Sequence, residues 1–251
     1  MRLDEIGMAY MPSKIQHNYL PNMERHINQF RESAKCILEI GVQTDRSVKM
    51  WRDFFPNATI IGLDIDENCQ KYREERIDII IGSQCDIDTL EELPDDIDVI
   101  IDDGGHIEND VIFSLNYLFE KKLKVGGVYM IEDMLVSPNQ SPKLFQCLMQ
   151  YLSGINYWPS DYTGPWSQLN HFSPEDDYIS RFTTSLHFYR YLTVIEKNKN
   201  PEDDEGLKRI QYPTICKENE NYLHEKDLND WSHLSDKSLI SKFGANIKYG
   251  D

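Results

Sequence analysis

Short apolar runs recur along the first half of the chain, separated by segments of a different periodicity. Four of the five runs consist mainly of Ile, Val and Leu with little polar alternation, which is typical of strands buried on both faces. The pattern therefore predicts a parallel sheet covered by helices. The five predicted strands are CILEIGV (36–42), ATIIGLD (58–64), IDIIIGS (77–83), IDVIIDD (97–103) and GGVYMIED (126–133).

Segments between these strands have the period of an amphipathic helix. Residues 45–55 place Val48, Trp51 and Phe55 on one stripe, and residues 108–122 repeat the pattern. Alternation of strands with helices predicts an α/β fold built on a doubly wound, mostly parallel sheet.

The remaining segments predict a three-part organisation. We expect a helical N-terminal segment, a central domain, and an acidic C-terminal extension. Within the central domain, the sequence predicts one more helix, an aromatic insertion that either stacks on sugar faces or packs locally, and two strands joined near Arg190. In order, these segments are 1–33, 34–200 and 201–251, with the helix at 142–154, the insertion at 155–182 and the strands within 184–197.

Composition narrows the class of protein. The 251 residues suffice for one large α/β domain, and 43 acidic against 26 basic residues give a net charge of −17. Such a charge disfavours nucleic acid and anionic membrane as partners. No apolar run approaches the ~20 residues of a membrane span, and the N-terminus does not resemble a signal peptide. Five cysteines without a C-x-x-C pair fit reduced thiols, so we expect a cytoplasmic protein.

The ends of the first two predicted strands indicate a cofactor with a ribose. The second strand ends at Asp64, whose carboxylate could accept hydrogen bonds from a ribose diol. The turn after Glu39-Ile40-Gly41 lacks G-x-G-x-x-G and carries an acid at Asp45, which disfavours a pyrophosphate. S-adenosylmethionine fits, because it has a ribose, no phosphate and a positive charge. Taken alone, Glu39-x-Gly41 is explained equally well by a plain βα turn.

Acidic residues also gather at the ends of the fourth and fifth predicted strands, in DDGGH (102–106) and ED (132–133). Adjacent strands lie ~4.8 Å apart, so four carboxylates would meet and repel one another unless a cation lay between them. Oxygen ligands without cysteine favour Mg²⁺ or Mn²⁺. The two glycines turn the chain and place His106, whose ordinary pKa suits a general base, over this site. A glycine turn and an acidic strand end are the simpler alternatives.

Six segments carry a resemblance to a known family: LDEIGMAYMPSKIQHNYL, ILEIGVQTDRSVKMWRDFFPNATIIGLDID, GSQCD, IDVIIDDGGHIEND, GGVYMIED and SLHFYRYLTVIEK. In this order, over residues 3–197, the chain resembles the metal-dependent sugar O-methyltransferases. These include macrolide-sugar and rhamnosyl enzymes and relatives in surface-polysaccharide clusters. The resemblance implies a Rossmann-like class I methyltransferase fold, with a seven-stranded sheet that contains one antiparallel strand.

The resemblance also implies roles for single residues. The metal ligands would be Asp103, Glu132 and Asp133, with His106 as the general base. The predicted cofactor-binding residues are Glu39, Gly41 and Asp64, then Ser83, Gln84 and Asp86 near the adenine, together with Asp102, and Tyr19 from a segment that closes over the cofactor.

These observations predict methyl transfer from S-adenosylmethionine to a sugar hydroxyl, with Mg²⁺ or Mn²⁺. The preferred substrate is a nucleotide-activated deoxyhexose or heptose for a surface polysaccharide, and we expect a homo-oligomer. A glycosylated natural product or a catechol-like molecule remains an alternative substrate. A SAM-binding scaffold without turnover and an iron hydroxylase, which would need two histidines and a carboxylate, are the alternatives from other classes.

Overall fold

A single sheet organises the protein, whose computed structural model describes residues 1–134, 143–155 and 178–197. The strands run in the order β3-β2-β1-β4-β5-β7-β6. Strands β1 to β5 are mutually parallel, and β7 pairs antiparallel with both β5 and β6. The strands are β1 (Cys36–Ile40), β2 (Thr59–Asp64), β3 (Ile77–Ile81), β4 (Ile97–Asp102), β5 (Leu123–Ile131), β6 (Thr183–Tyr189) and β7 (Leu192–Lys197).

Helices cover both faces of the sheet, so that neighbouring residues of one strand enter different cores. In β2, Ile60 belongs to the core that includes Trp51 and Phe54, whereas Ile61 belongs to a second core that includes Leu115. This two-sided burial is the physical reason for the uninterrupted apolar runs. The helices are α1 (Leu3–Tyr10), α2 (Leu20–Ile27), α3 (Asp45–Phe54), α4 (Ile87–Glu91), α5 (Glu108–Lys121), α6 (Lys143–Ile155) and α7 (Tyr178–Phe182).

The fold predicted from the sequence is confirmed: within the described residues, the sheet is doubly wound, has seven strands and contains one antiparallel strand, β7. Strand β5 begins three residues before the predicted start, at Leu123. Helix α7 occupies residues 178–182, which the sequence assigned to an irregular insertion. Residues 156–177, which make up most of the predicted aromatic insertion, and the C-terminal extension lie outside the described residues.

The strand order reverses at β1, which lies between β2 and β4. In open α/β sheets the crevice beyond the carboxyl ends of the strands at this point is the usual ligand site. Across the described ranges, the structure contains no helix that is long and apolar enough to span a membrane.

Candidate active site at the carboxyl ends of the strands

A cavity of about 670 Å³ opens where the strand order reverses. Its walls come from the loops that follow β1 to β5 and from the segment between α1 and α2. Seven of the twelve residues predicted from the sequence line it: Gly41, Asp64, Ser83, Gln84, Asp103, His106 and Asp133. The structure thus brings the predicted cofactor-binding and metal-binding ends of the strands into one space.

Gly41 joins these two parts of the cavity. Its φ of +86° lies in the left-handed region, and a Cβ there would come within 2.0 Å of the backbone oxygen of Asp103. Both the conformation and the close approach require glycine. The turn after β1 therefore lies directly against the loop after β4.

Asp64, at the end of β2, organises the turn after β1. Its Oδ2 accepts hydrogen bonds from the amides of Val42 and Gln43, at 2.8 and 2.9 Å. Burial raises the pKa of the Asp64 carboxyl, but hydrogen bonds from backbone amides outweigh burial and hold the pKa below its ordinary value. A half-buried, ionised carboxylate thus faces the cavity.

Asp103, His106 and Asp133 form the polar end of the cavity. The His106 Nε2 atom lies 3.9 Å from Asp103 Oδ1 and 3.6 Å from Asp133 Oδ2. His106 and Asp133 both have positive φ values, of 54° and 53°, a backbone region that few residues other than glycine adopt. One ligand atom from each of the three residues lies within 4.8 Å of the others.

This donor set fits a hard divalent ion. Two carboxylates supply charge and oxygen ligands, and an ion such as Mg²⁺ keeps several waters or substrate oxygens in its other positions. The set includes His106, which the sequence predicted as a base, and it does not include Glu132.

Glu39 and Glu132 lie beneath the cavity and contact a lysine that the sequence analysis did not single out. The Lys14 Nζ atom is 3.0 Å from Glu39 Oε1, 2.8 Å from Glu132 Oε1 and 2.6 Å from Asp103 Oδ2. Burial alone would lower the pKa of Lys14, but the three carboxylates outweigh it and raise the pKa well above its ordinary value. No local pattern marks Lys14, because its partners come from distant strands.

Glu39 is also bonded on its other sides, since it accepts hydrogen bonds from Ser47 Oγ and Trp51 Nε1. It is fully buried and does not line the cavity. In this structure the Glu39 carboxylate is therefore not exposed to the cavity, where a direct contact with the cofactor was predicted.

The other predicted residues outside the cavity lining are Asp86, Asp102 and Tyr19. Asp86 caps α4 by accepting a hydrogen bond from the Thr89 amide. Asp102 is buried, and its Oδ2 accepts hydrogen bonds from Ser114 and Tyr129. Tyr19 is buried and donates its hydroxyl to Asp133 Oδ1 at 2.6 Å, so it reaches a predicted metal ligand.

A second group with metal-ligating atoms lies on α2, β6 and β7. His26, His187 and Glu196 form a set of two histidines and a carboxylate, as an iron hydroxylase would need. None of them lines the cavity. His26 bonds Glu196 through Nδ1 and Tyr189 through Nε2, and Glu196 also accepts from Ser185. Because these polar atoms satisfy one another, the group is explained as an anchor for α2.

Comparison with known proteins shows which enzymes the chain is similar to. No family model matches the chain. Demethylmacrocin O-methyltransferase from Streptomyces fradiae is 30% identical over 234 residues, which cover 80% of this chain and 54% of that protein. The 8-demethyl-8-alpha-L-rhamnosyl tetracenomycin-C 2'-O-methyltransferase from Streptomyces olivaceus is 29% identical over 219 residues, with 79% and 54% coverage. Over about four fifths of its length, the chain is thus similar to named O-methyltransferases, one of which carries a rhamnosyl substrate in its name.

A solved structure shows the same similarity. MycE methyltransferase from the mycinamycin biosynthetic pathway, in complex with Mg, SAH and mycinamycin VI, superimposes with a TM-score of 0.67 and 29% identity. The match covers 83% of this chain and 58% of that chain. The family resemblance predicted from the motifs is thus confirmed, although the chain spans little more than half the length of these relatives.

Proposed function

We propose that this protein transfers a methyl group from S-adenosylmethionine to a sugar hydroxyl, with the help of a divalent ion. The observation that carries the proposal is the meeting of Asp64, Asp103, His106 and Asp133 in one cavity. The identity to named O-methyltransferases supports the reaction class. The Mg and SAH in the MycE complex support the choice of cofactor and ion, and Mn²⁺ remains a prediction.

The turn after β1 and the end of β2 form the proposed cofactor side. Asp64 presents a carboxylate that could bind ribose hydroxyls while it holds the Val42 and Gln43 amides. Gly41 allows the turn after β1 to lie against the loop that carries Asp103, and Ser83 and Gln84 line the wall where the adenine would lie.

Asp103 and Asp133 are the proposed ion ligands, because each directs one carboxylate oxygen toward His106. When bound, Mg²⁺ would lower the pKa of an acceptor hydroxyl and orient it. His106 would then take the hydroxyl proton on Nε2 as general base. Glu132, 3% exposed and paired with Lys14, could join the ligands only if that pairing changed.

For the acceptor, we propose a sugar attached to a small natural product. One relative is named for methylation of a rhamnosyl tetracenomycin, and another is named for methylation of demethylmacrocin. The nucleotide-sugar and surface-polysaccharide expectation has no support among these relatives. The glycosylated natural product, which was the alternative substrate in the sequence analysis, is therefore the better supported of the two.

A substrate panel tests this proposal. Purified protein, radiolabelled S-adenosylmethionine and Mg²⁺ would be combined with aryl or macrolide rhamnosides, with a nucleotide-activated rhamnose, and with a catechol. We expect methylation of the glycosides above the other two classes. Methylation of the catechol alone would contradict a sugar acceptor, and methylation of the nucleotide sugar alone would restore the original substrate prediction.

A pair of histidine variants tests the proposed base. His106→Gln is expected to lower kcat by about 10²–10⁴-fold, because proton removal by a positioned base contributes that much. S-adenosylmethionine affinity, measured by calorimetry, should be unchanged. The matched control is His187→Gln, outside the cavity lining. Equal loss of activity in both variants would show that neither histidine has the special role proposed for His106.

A further inference from the structure

Lys14 and Tyr19 lie just outside the cavity lining, where they contact the proposed ion ligands Asp103 and Asp133. Lys14 lies in a short 3₁₀ helix (Ser13–Ile15) and is 1% exposed, and Tyr19 lies just before α2 and is also 1% exposed. Lys14 contacts Asp103 at 2.6 Å and Tyr19 donates to Asp133 at 2.6 Å. The segment between α1 and α2 thus forms a layer beneath the proposed ion ligands.

The two carboxylate oxygens of each aspartate face different partners, one in this layer and one in the cavity. Asp103 directs Oδ2 to Lys14 and Oδ1 toward His106, whereas Asp133 directs Oδ1 to Tyr19 and Oδ2 toward His106. With one oxygen of each carboxylate held from below, the other is left facing the position that an ion would take. Hydrogen bonds of this kind orient carboxylate ligands in metal sites and tune their affinity.

The charge of Lys14 has a separate consequence. Glu39, Asp103, Glu132 and Asp133 place four carboxylates close together, and Lys14 contacts three of them. The Lys14–Glu132 contact is an ion pair without hydrogen-bond geometry, so the buried Glu132 Oε1 accepts no hydrogen bond. The ammonium therefore compensates part of the negative charge when no ion is bound, and it repels a divalent ion that binds beside it.

We propose that Lys14 and Tyr19 are positioning residues of the metal site, acting in opposite directions on ion affinity. Tyr19 strengthens ion binding by orienting Asp133. Lys14 keeps the acidic cluster assembled before the ion arrives and weakens ion binding through its charge. The inference rests on the proposed function only in that it assumes a divalent ion at Asp103 and Asp133.

The test measures Mn²⁺ binding by electron paramagnetic resonance, and melting temperature with and without Mn²⁺, on the full chain. Tyr19→Phe should bind Mn²⁺ about 10–100-fold more weakly and show a smaller stabilisation by the ion. Lys14→Met should melt at a lower temperature without the ion, bind Mn²⁺ about tenfold more tightly and gain more stability from it. Lys14→Arg should restore wild-type values for both measurements.

The outcomes separate this proposal from a purely structural role. A structural role would lower the melting temperature of both variants and leave Mn²⁺ affinity unchanged, and that result would overturn the proposal. If Lys14→Met does not fold, Lys14→Met with Glu132→Gln should fold, because it replaces both partners of the buried Lys14–Glu132 contact. Failure of this double variant to fold would also overturn the proposal. Absence of Mn²⁺ binding by wild type would instead count against the metal site of the proposed function, and this inference would fall with it.

Discussion

At the scale of single residues, the cavity depends on backbone positions that admit few side chains. Gly41 is the strictest of them, since it combines a φ of +86° with a close approach to Asp103. Gly105, in the loop after β4, has no atom within 4 Å of an added Cβ. The two glycines look equivalent in the sequence but face different constraints.

We predict that Gly41→Ala lowers the free energy of unfolding by about 2–4 kcal/mol, because an alanine Cβ would clash with backbone as well as strain φ. Gly105→Ala should change it by less than about 1 kcal/mol. Urea denaturation of both variants measures the difference. Equal stabilities would mean that the loop after β4 moves aside without cost.

Asp64 supports the turn and is the proposed ribose ligand. We predict that Asp64→Asn weakens S-adenosylmethionine binding by about tenfold or more, since a charge-assisted hydrogen bond contributes about 1.5–3 kcal/mol. The matched control is Asp66→Asn, an exposed acid outside the cavity lining that caps the 3₁₀ helix Glu67–Tyr72. Calorimetry that gave the same affinity for Asp64→Asn and wild type would argue against the ribose contact.

At the scale of elements, a buried lysine joins β7 to the end of α5. The Lys197 Nζ atom donates hydrogen bonds to the backbone oxygens of Phe119 and Leu123, at 2.6 and 2.8 Å. Burial lowers the pKa of Lys197 to about 8, against the opposing effect of Glu120 and Asp96. The folded protein thus holds the positive charge of Lys197 less favourably than the unfolded chain does.

This pKa predicts how stability depends on pH. Between pH 8 and about 10.5 the unfolded chain binds more protons at Lys197 than the folded chain, so this residue makes stability rise with pH by at most about 3 kcal/mol. Below pH 8 its contribution is constant. Urea denaturation from pH 7 to 10 should show that Lys197→Met lacks this rise, whereas Lys71→Met, at an exposed position, retains it. Parallel curves for wild type and Lys197→Met would contradict the lowered pKa.

At the scale of the whole molecule, the cavity has two chemically distinct sides. Asp64 and the turn after β1 form one, and Asp103, His106 and Asp133 form the other. They come from different strands and share the space only because the strand order reverses at β1.

Chelation should separate the two sides. We predict that EDTA abolishes methyl transfer and that Mg²⁺ restores it, while S-adenosylmethionine binding measured by calorimetry changes less than about threefold, because Asp64 does not depend on the ion. Full activity after exhaustive chelation would contradict a role for a divalent ion and leave the carboxylates without their proposed use.

The sequence by itself determined the sheet and the location of its ligand site. Buried parallel strands have a strong apolar signal, and residues at their carboxyl ends must meet, so Asp64, Asp103 and Asp133 were predicted from local pattern alone. The glycine turn after β4 likewise predicted His106 as a general base, and the family resemblance implied the same role. All four line one cavity in the structure.

Only the tertiary structure decided how the charges are compensated. The sequence predicted that the four carboxylates at the ends of the fourth and fifth strands need a cation. In the structure the chain itself supplies one, because Lys14 contacts Asp103 and Glu132 of that group, and it also contacts Glu39. Tyr19 likewise contacts a metal-ligand candidate from below. These contacts join residues far apart in the chain, and pairing of that kind depends on how the N-terminal helices pack on the sheet. That packing cannot be predicted from the local pattern of polar and apolar residues.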